Sequence, residues 1–137
     1  MTAEARIRTS FAAQSMMTTL GAELVEITEG RVTIAAPILP GSKQQHGFAH
    51  AALAFALGDS AAGYSALSVM PEGQEVLTAE MKINLLAPAK GDRLVAEGRV
   101  EKAGRRLIVV SAEVFAETGG SRRRVALLQG TMVPVET

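Results

Sequence analysis

The pattern of apolar and polar positions changes twice along the chain and predicts one helix set among strands. Residues 22–28 and 31–38 are two extended runs around Glu29-Gly30, a turn pair typical of a hairpin. Residues 46–67 are rich in alanine and poor in β-branched side chains, which favours a helix. From residue 77 onward the period becomes two, and this places five residues on one strand face: Leu77, Ala79, Met81, Ile83 and Leu85.

Three more strands follow, separated by glycine- and proline-containing turns. They are predicted over residues 93–102, 105–117 and 122–133, and with the preceding strand they make an antiparallel meander. An amphipathic helix is predicted over residues 3–18. We therefore predict a single α+β domain, residues 1–137, in which a long antiparallel sheet packs on one central helix.

The predicted central helix is apolar nearly all round. Helices of this kind are buried rather than laid on a surface. We therefore expect the sheet to wrap this helix on several sides, or another subunit to cover it.

Composition narrows the classes of function. The 137 residues carry 14 Lys and Arg against 14 Asp and Glu, and this zero net charge argues against nucleic-acid binding. There is no cysteine, which excludes disulfides, thiolate zinc sites and a cysteine nucleophile, and which fits a reducing cytoplasm. Polar residues interrupt the apolar run near the N-terminus and residues 44–71, so we expect neither a signal peptide nor a membrane span. A cytoplasmic protein is the prediction.

Asp59 is a lone carboxylate in the middle of the apolar helix. An ionised carboxylate is costly to bury unless it is paired or hydrogen-bonded, and no Lys or Arg lies within two helical turns of it. It is either a structural residue satisfied by hydroxyls such as Ser60 or by a partner helix, or a general base or nucleophile in a pocket.

The head of the same helix, from Gln44 to Ala52, is a candidate anion site. Free N–H groups and the positive end of the helix dipole stabilise an anion there, as an oxyanion hole does. An ordinary helix start with capping glutamines is the alternative.

The spacing of these two features predicts an oligomer. Ala51 and Asp59 lie eight residues apart, which is about 12 Å along a helix and too far to serve one reacting carbon. If two chains pair their central helices antiparallel about a two-fold axis, Asp59 of one approaches Ala51 of the other. The sequence thus suggests a dimer, if the protein is an enzyme.

Two motifs carry a family resemblance over nearly the whole chain. They are His46-Gly47-Phe48-Ala49-His50-Ala51-Ala52 leading to Asp59, and Leu77-Thr78-Ala79-Glu80-Met81-Lys82-Ile83-Asn84 leading to Pro88 and Gly91. The chain resembles the hotdog-fold acyl-CoA thioesterases of the phenylacetate-pathway (PaaI-type) family. That family has a His-Gly-Gly motif nine residues before an acidic residue, and an Asn or Gln six residues before the motif His. His50, Asp59 and Gln44 keep those spacings.

The resemblance implies a hotdog fold, with a long antiparallel sheet wrapped around the central helix, and hydrolysis of a small aromatic or medium-chain acyl-CoA. It implies that Asp59 is the base or nucleophile, the Ala51 N–H the oxyanion donor, and Gln44 a group that orients water or the carbonyl, with His50 beside them. It also implies a homodimer or homotetramer with sites at the dimer interface. Ala51-Ala52 replaces the family's Gly-Gly, which keeps the backbone donor but adds a methyl where the thioester approaches.

Cationic and metal-binding candidates remain. Arg105, Arg106 and the run Arg122-Arg123-Arg124 are candidates to hold coenzyme A phosphates, although such runs also serve as solvated strand ends. His46 and His50 have the i, i+4 spacing of metal-binding helices, but no following Glu and no third ligand accompany them. We predict no metal and no cofactor.

Two other functions stay open. A hotdog protein that binds acyl-CoA without hydrolysing it is favoured by the Ala51-Ala52 departure. A hotdog hydratase or dehydratase is the other, and that chemistry needs an Asp and a His in one site.

Overall fold

One antiparallel sheet and one long helix in front of it make up most of the molecule. The computed structural model describes residues 1–137. The elements are α1 (Ala3–Ala13), α2 (Ser15–Leu20), β1 (Glu23–Thr28), β2 (Arg31–Pro37), α3 (Ala51–Leu67), β3 (Gln74–Leu85), β4 (Arg93–Ala103), β5 (Ile108–Thr118) and β6 (Ser121–Glu136), with a short 3-10 turn at Pro40–Ser42. The sheet has six strands in the order β1-β2-β4-β5-β6-β3, and α3 packs against five of them: β2, β3, β4, β5 and β6. The predicted α+β class and the sheet around a central helix are confirmed.

The predicted four-strand meander is wrong in one connection. β4, β5 and β6 do form consecutive antiparallel pairs, but β3 pairs with β6 at the edge of the sheet, and β4 pairs on its other side with β2. The chain therefore crosses from the β3 edge to the middle of the sheet after residue 85. Turn residues mark where a strand ends, but they do not specify which strand it joins.

A bulge in β3 changes which residues face α3. The register shifts between Thr78 and Glu80, so two residues on β3 oppose one on β6. Val76 and Thr78 consequently lie on the helix side, as Met81 and Ile83 do. The single alternating face predicted from Leu77 to Leu85 is therefore wrong at both of its ends, where Leu77 is 55% and Leu85 is 58% exposed.

Helix α3 begins later than the composition predicted. It starts at Ala51, because the preceding residues form a turn and His50, in extended conformation, caps the helix. Its close seat on the sheet depends on Gly98 of β4, where a Cβ atom would lie 2.4 Å from the Ala61 carbonyl carbon.

One stripe of α3 is not covered by the sheet. Eleven of its seventeen residues are buried, but Ala52 and Phe55 are exposed, and Ala56 and Asp59 only partly buried, along one line at helical spacing. The expectation that the helix is wrapped holds for the remaining circumference. The uncovered line leaves room for a second subunit.

The predicted N-terminal helix is two helices. The chain leaves helical geometry at Gln14, which ends α1 and precedes α2. Ile7 and Met17 are buried in the core, and the Arg6 guanidinium donates to the carbonyls of Met70 and Pro71 beyond the end of α3. No helix in the structure is long and apolar enough to cross a membrane.

Candidate active site

The first backbone N–H of α3 is free to bind an anion. The Nδ1 atom of His50 accepts a hydrogen bond from the Ala52 N–H at 2.9 Å, and the His50 carbonyl accepts from Leu53. The Ala51 N–H between them has no acceptor within the chain. Because unpaired N–H groups at a helix N-terminus coincide with the positive end of the dipole, Ala51 is suited to stabilise a developing oxyanion.

His50 therefore acts as the helix cap. With Nδ1 accepting from a backbone N–H, the neutral ring carries its proton on Nε2 and has one donor left. His46 lies in the turn ahead of the helix, so the two histidines do not share a helical face. No cluster of three or more metal-ligating side chains occurs in the structure.

Gln44 lies beside the Ala51 N–H and offers donors rather than an acceptor. Its side-chain oxygen accepts from the backbone N–H groups of His46 and Phe48, which fixes the turn ahead of α3. The amide Nε2 makes no hydrogen bond within the chain. Gln44 is therefore poised to donate to a carbonyl oxygen, whereas the alternative role of accepting from a water is blocked.

An apolar cavity of about 590 Å³ opens at this helix terminus. Its polar lining residues are Gln44 and His50, and none of the lining residues is charged. The apolar walls come from Phe48, Ala49, Ala51, Ala54, Leu85, Leu86, Ala87, Pro88, Ala89 and Val125. A cavity with apolar walls and a few converging donors suits an acyl or alkyl thioester.

Asp59 lies in a second, polar cavity of about 220 Å³. The Thr78 hydroxyl donates to Asp59 Oδ1 at 2.8 Å, and no cation lies within ion-pair distance. Burial raises the pKa of the Asp59 carboxyl above its ordinary value, and the Thr78 hydrogen bond lowers it in part. A half-buried carboxylate with a raised pKa is a suitable general base.

The wall of this polar cavity is a hydrogen-bonded network between α1 and α3. Gln14 Nε2 donates to the Tyr64 hydroxyl at 3.0 Å, the Ser60 hydroxyl donates to Gln14 Oε1 at 3.3 Å, and the Ser10 and Tyr64 hydroxyls lie 3.1 Å apart. Ser60, proposed from the sequence as a partner for Asp59, is thus engaged elsewhere. The hydroxyl that Asp59 uses is Thr78, which the sequence pattern had assigned to the opposite strand face.

The two cavities share no residue within one chain. Ala51 and Asp59 are separated by about 12 Å of helix, as the spacing predicted, since both belong to α3. His50 is no closer to Asp59. One chain therefore has an oxyanion donor and a carboxylate, but not around one reacting carbon.

The arginine candidates do not form one cluster within a chain. Arg122 donates to Glu97 at 3.0 Å, and its guanidinium lies 3.6 Å from the centroid of the Phe115 ring. Arg105 and Arg106 lie in the turn between β4 and β5, at the opposite end of β5 from Arg122. The strand spans roughly 30 Å, so the expected joint clamp of Arg105, Arg106 and Arg122 on one phosphate is wrong within one chain.

The fold and these residues match one known family. The family model of the thioesterase superfamily matches residues 46–122. A thioesterase family protein from Silicibacter pomeroyi is 39% identical, with 98% of this chain and 99% of that chain covered and a TM-score of 0.96. A comparison with curated proteins finds no match.

Two more distant structures share the fold. The PaaI protein of the Escherichia coli phenylacetic acid degradation operon is 21% identical, with 97% and 93% of the two chains covered and a TM-score of 0.86. Thioesterase HI1161 from Haemophilus influenzae is 18% identical, with 93% and 87% covered and a TM-score of 0.84. The architecture is the hotdog fold. The chain belongs to the thioesterase superfamily.

Proposed function

We propose that the protein is an acyl-CoA thioesterase acting on a small aromatic or medium-chain acyl group. One observation carries the proposal: a free helix-terminal N–H at Ala51 opens onto an apolar cavity, while the same helix presents a half-buried carboxylate at Asp59. Membership of the thioesterase superfamily supports a hydrolase. The acyl-CoA specificity and the catalytic residues are our own assignment.

The working unit in this proposal is a homodimer, alone or within a tetramer. A two-fold axis that pairs the uncovered stripe of α3 and the β3 edges brings Asp59 of one subunit to Ala51 of the other. Exposed apolar side chains along these surfaces support that pairing: Phe55, Leu77, Leu85 and Leu86. Each dimer then holds two equivalent sites.

The chemistry follows from the two halves of the site. Asp59 removes a proton from water, whose oxygen forms a bond to the thioester carbon, or else the carboxylate attacks that carbon directly and water releases the acyl group. The carbonyl oxygen becomes negative and is stabilised by the Ala51 N–H and the Gln44 amide. The carbon–sulfur bond then breaks, and the departing thiolate takes up a proton, leaving a carboxylic acid and a free thiol. Thr78 positions the carboxylate throughout.

Free-thiol release from phenylacetyl-, hydroxybenzoyl- and medium-chain acyl-CoA tests the proposal, with Asp59→Asn compared with the wild type. We expect turnover of at least one ester by the wild type and a loss of about 10³-fold or more in the variant, as for removal of a catalytic base. Wild-type turnover that survives in Asp59→Asn would contradict the assigned role.

The variant is expected to fold, so its inactivity can be interpreted. Because the folded-state pKa of Asp59 is raised, the stability gained with the carboxyl protonated is lost as pH rises through that pKa. Asparagine is neutral at every pH and still accepts from Thr78. We therefore expect a neutral-pH melting temperature equal to or above that of the wild type, with unchanged dimerisation.

A binding module is the second candidate. The Ala51 methyl group lies in the wall of the apolar cavity, where a glycine would leave more space for the thioester. Acyl-CoA binding without release of thiol from any ester would favour this function and overturn the hydrolase. Hydration of an enoyl-CoA would favour a hydratase, for which His50 has only its Nε2 donor available.

A further inference from the structure

The arginines at the two ends of β5 differ in whether they already have partners. Arg122 and Arg124 form ion pairs with Glu97 and Glu113, at 3.0 and 2.9 Å. Arg105 and Arg106 are exposed and form neither an ion pair nor a hydrogen bond. The guanidinium groups free to bind an anion without breaking an existing pair are those of the β4–β5 turn.

The turn between β4 and β5 presents these two side chains to solvent. The Gly104 N–H donates to the Leu107 carbonyl at 2.9 Å, and a Cβ atom at Gly104 would lie 2.6 Å from that oxygen. This close approach leaves Arg105 and Arg106 at the tip. The acidic side chain closest in sequence, Glu101, is held instead by Arg99 and Ser111. The positive charge of the tip is therefore not neutralised within the chain.

The turn lies at the same end of the sheet as the carboxylate. Ile108, two residues after Arg106, pairs with Met132, which in turn pairs with Thr78, the hydroxyl donor to Asp59. Adjacent strands lie about 4.8 Å apart, so this row spans about 10 Å. Arg122 lies at the far end of β5, away from this row.

The position and chemistry of the turn suit a phosphate-bearing carrier. Coenzyme A carries its phosphates at the far end of a long thiol arm, so cations that bind them belong at a distance from the reacting carbon. Guanidinium groups match phosphate oxygens in a bidentate geometry. We infer that Arg105 and Arg106, from the subunit that contributes Asp59, bind the phosphates of coenzyme A and that Arg122 does not. This inference rests on the proposed function.

The test compares two thioesters that carry the same acyl group, one on coenzyme A and one on pantetheine, which lacks the phosphates. In the double variant Arg105→Ala/Arg106→Ala we expect KM for the coenzyme A ester to rise about tenfold, with kcat within about twofold of the wild type, as for exposed charge-assisted contacts. KM for the pantetheine ester stays unchanged. Arg124→Ala is the matched control, because it removes an arginine and an ion pair but leaves the turn intact, and Arg122→Ala is expected to behave like it.

Binding of free coenzyme A, measured by calorimetry, tests the inference without turnover. We expect it to weaken about tenfold in the double variant and not in Arg124→Ala. An unchanged KM and affinity for coenzyme A in the double variant would overturn the inference, and so would an equal KM rise for both esters. If the wild type hydrolyses neither ester but coenzyme A binding still depends on Arg105 and Arg106, the proposed function fails and this inference stands.

Discussion

The reactivity of Asp59 is set by two opposing contacts. Burial raises the pKa of its carboxyl, and the Thr78 hydroxyl lowers it in part. A general base works only when ionised, so kcat/KM is expected to fall on acidification at a higher pH than for an ordinary aspartate. The acid limb of the pH profile therefore reports on this side chain.

Replacing Thr78 by valine is expected to separate these two effects. Without the hydroxyl, burial acts alone, so the acid limb of kcat/KM moves to higher pH, and kcat on the plateau falls about tenfold because the carboxylate is less well positioned. Thr78→Ser, which keeps the donor, is expected to restore both. The readout is a pH–rate profile, and a Thr78→Val profile that coincides with the wild type would show that the hydrogen bond has no role in the reaction.

At the level of single residues, the sequence revealed Asp59 but not its partner. A lone carboxylate among alanines and leucines is conspicuous because burying it costs free energy. Thr78 follows an alternating pattern that assigns it to the outside, and only the bulge turns it toward α3. A bulge of one residue leaves no mark in a pattern of apolar positions when the inserted residue is a small one such as Ala79.

The start of α3 combines a capping side chain with a free donor. His50 caps the Ala52 N–H, which leaves the N–H of Ala51, the first helical residue, for a ligand. Proline is favoured at this first position, and His50 has the extended conformation, with φ −64° and ψ 144°, that a following proline requires. The oxyanion donor can therefore be removed without disturbing the helix.

We expect Ala51→Pro to lower kcat by about 10²- to 10³-fold, as for loss of one oxyanion donor, with little change in melting temperature. Ala51→Gly is the control, since it retains the N–H. Thiol release and a thermal melt of both variants provide the measurement. Turnover of Ala51→Pro at the wild-type level would exclude this N–H from catalysis.

Element boundaries were predicted less well than element types. The helix expected over residues 3–18 breaks at Gln14, and the break places that side chain in the wall of the Asp59 cavity. Helical periodicity alone does not reveal it, because the apolar positions continue through α2. The arginine pairs look close in a list of adjacent strands, yet an antiparallel connection places them at opposite ends of β5.

For the whole molecule, the proposed site exists only between subunits, and this can be tested with two inactive variants. A heterodimer of Ala51→Pro with Asp59→Asn, purified through two different tags, has one site with both defects and one with neither. We expect about half of the wild-type activity per dimer, from one intact site of two, although each parent homodimer is inactive. If instead both groups acted within one chain, every site would carry a defect and the heterodimer would be as inactive as its parents.

The bulge in β3 also has a consequence for how the subunits associate. By taking up one extra residue, the strand gives Thr78 to the carboxylate and turns Leu77 outward on the edge strand, where it is 55% exposed. An isolated chain therefore presents an apolar side chain on an unpaired strand edge, a combination that favours nonspecific aggregation. The feature that orients the base thus makes the solitary chain the less soluble form, so low concentrations or a weakened interface would cost the protein its colloidal stability as well as its catalysis.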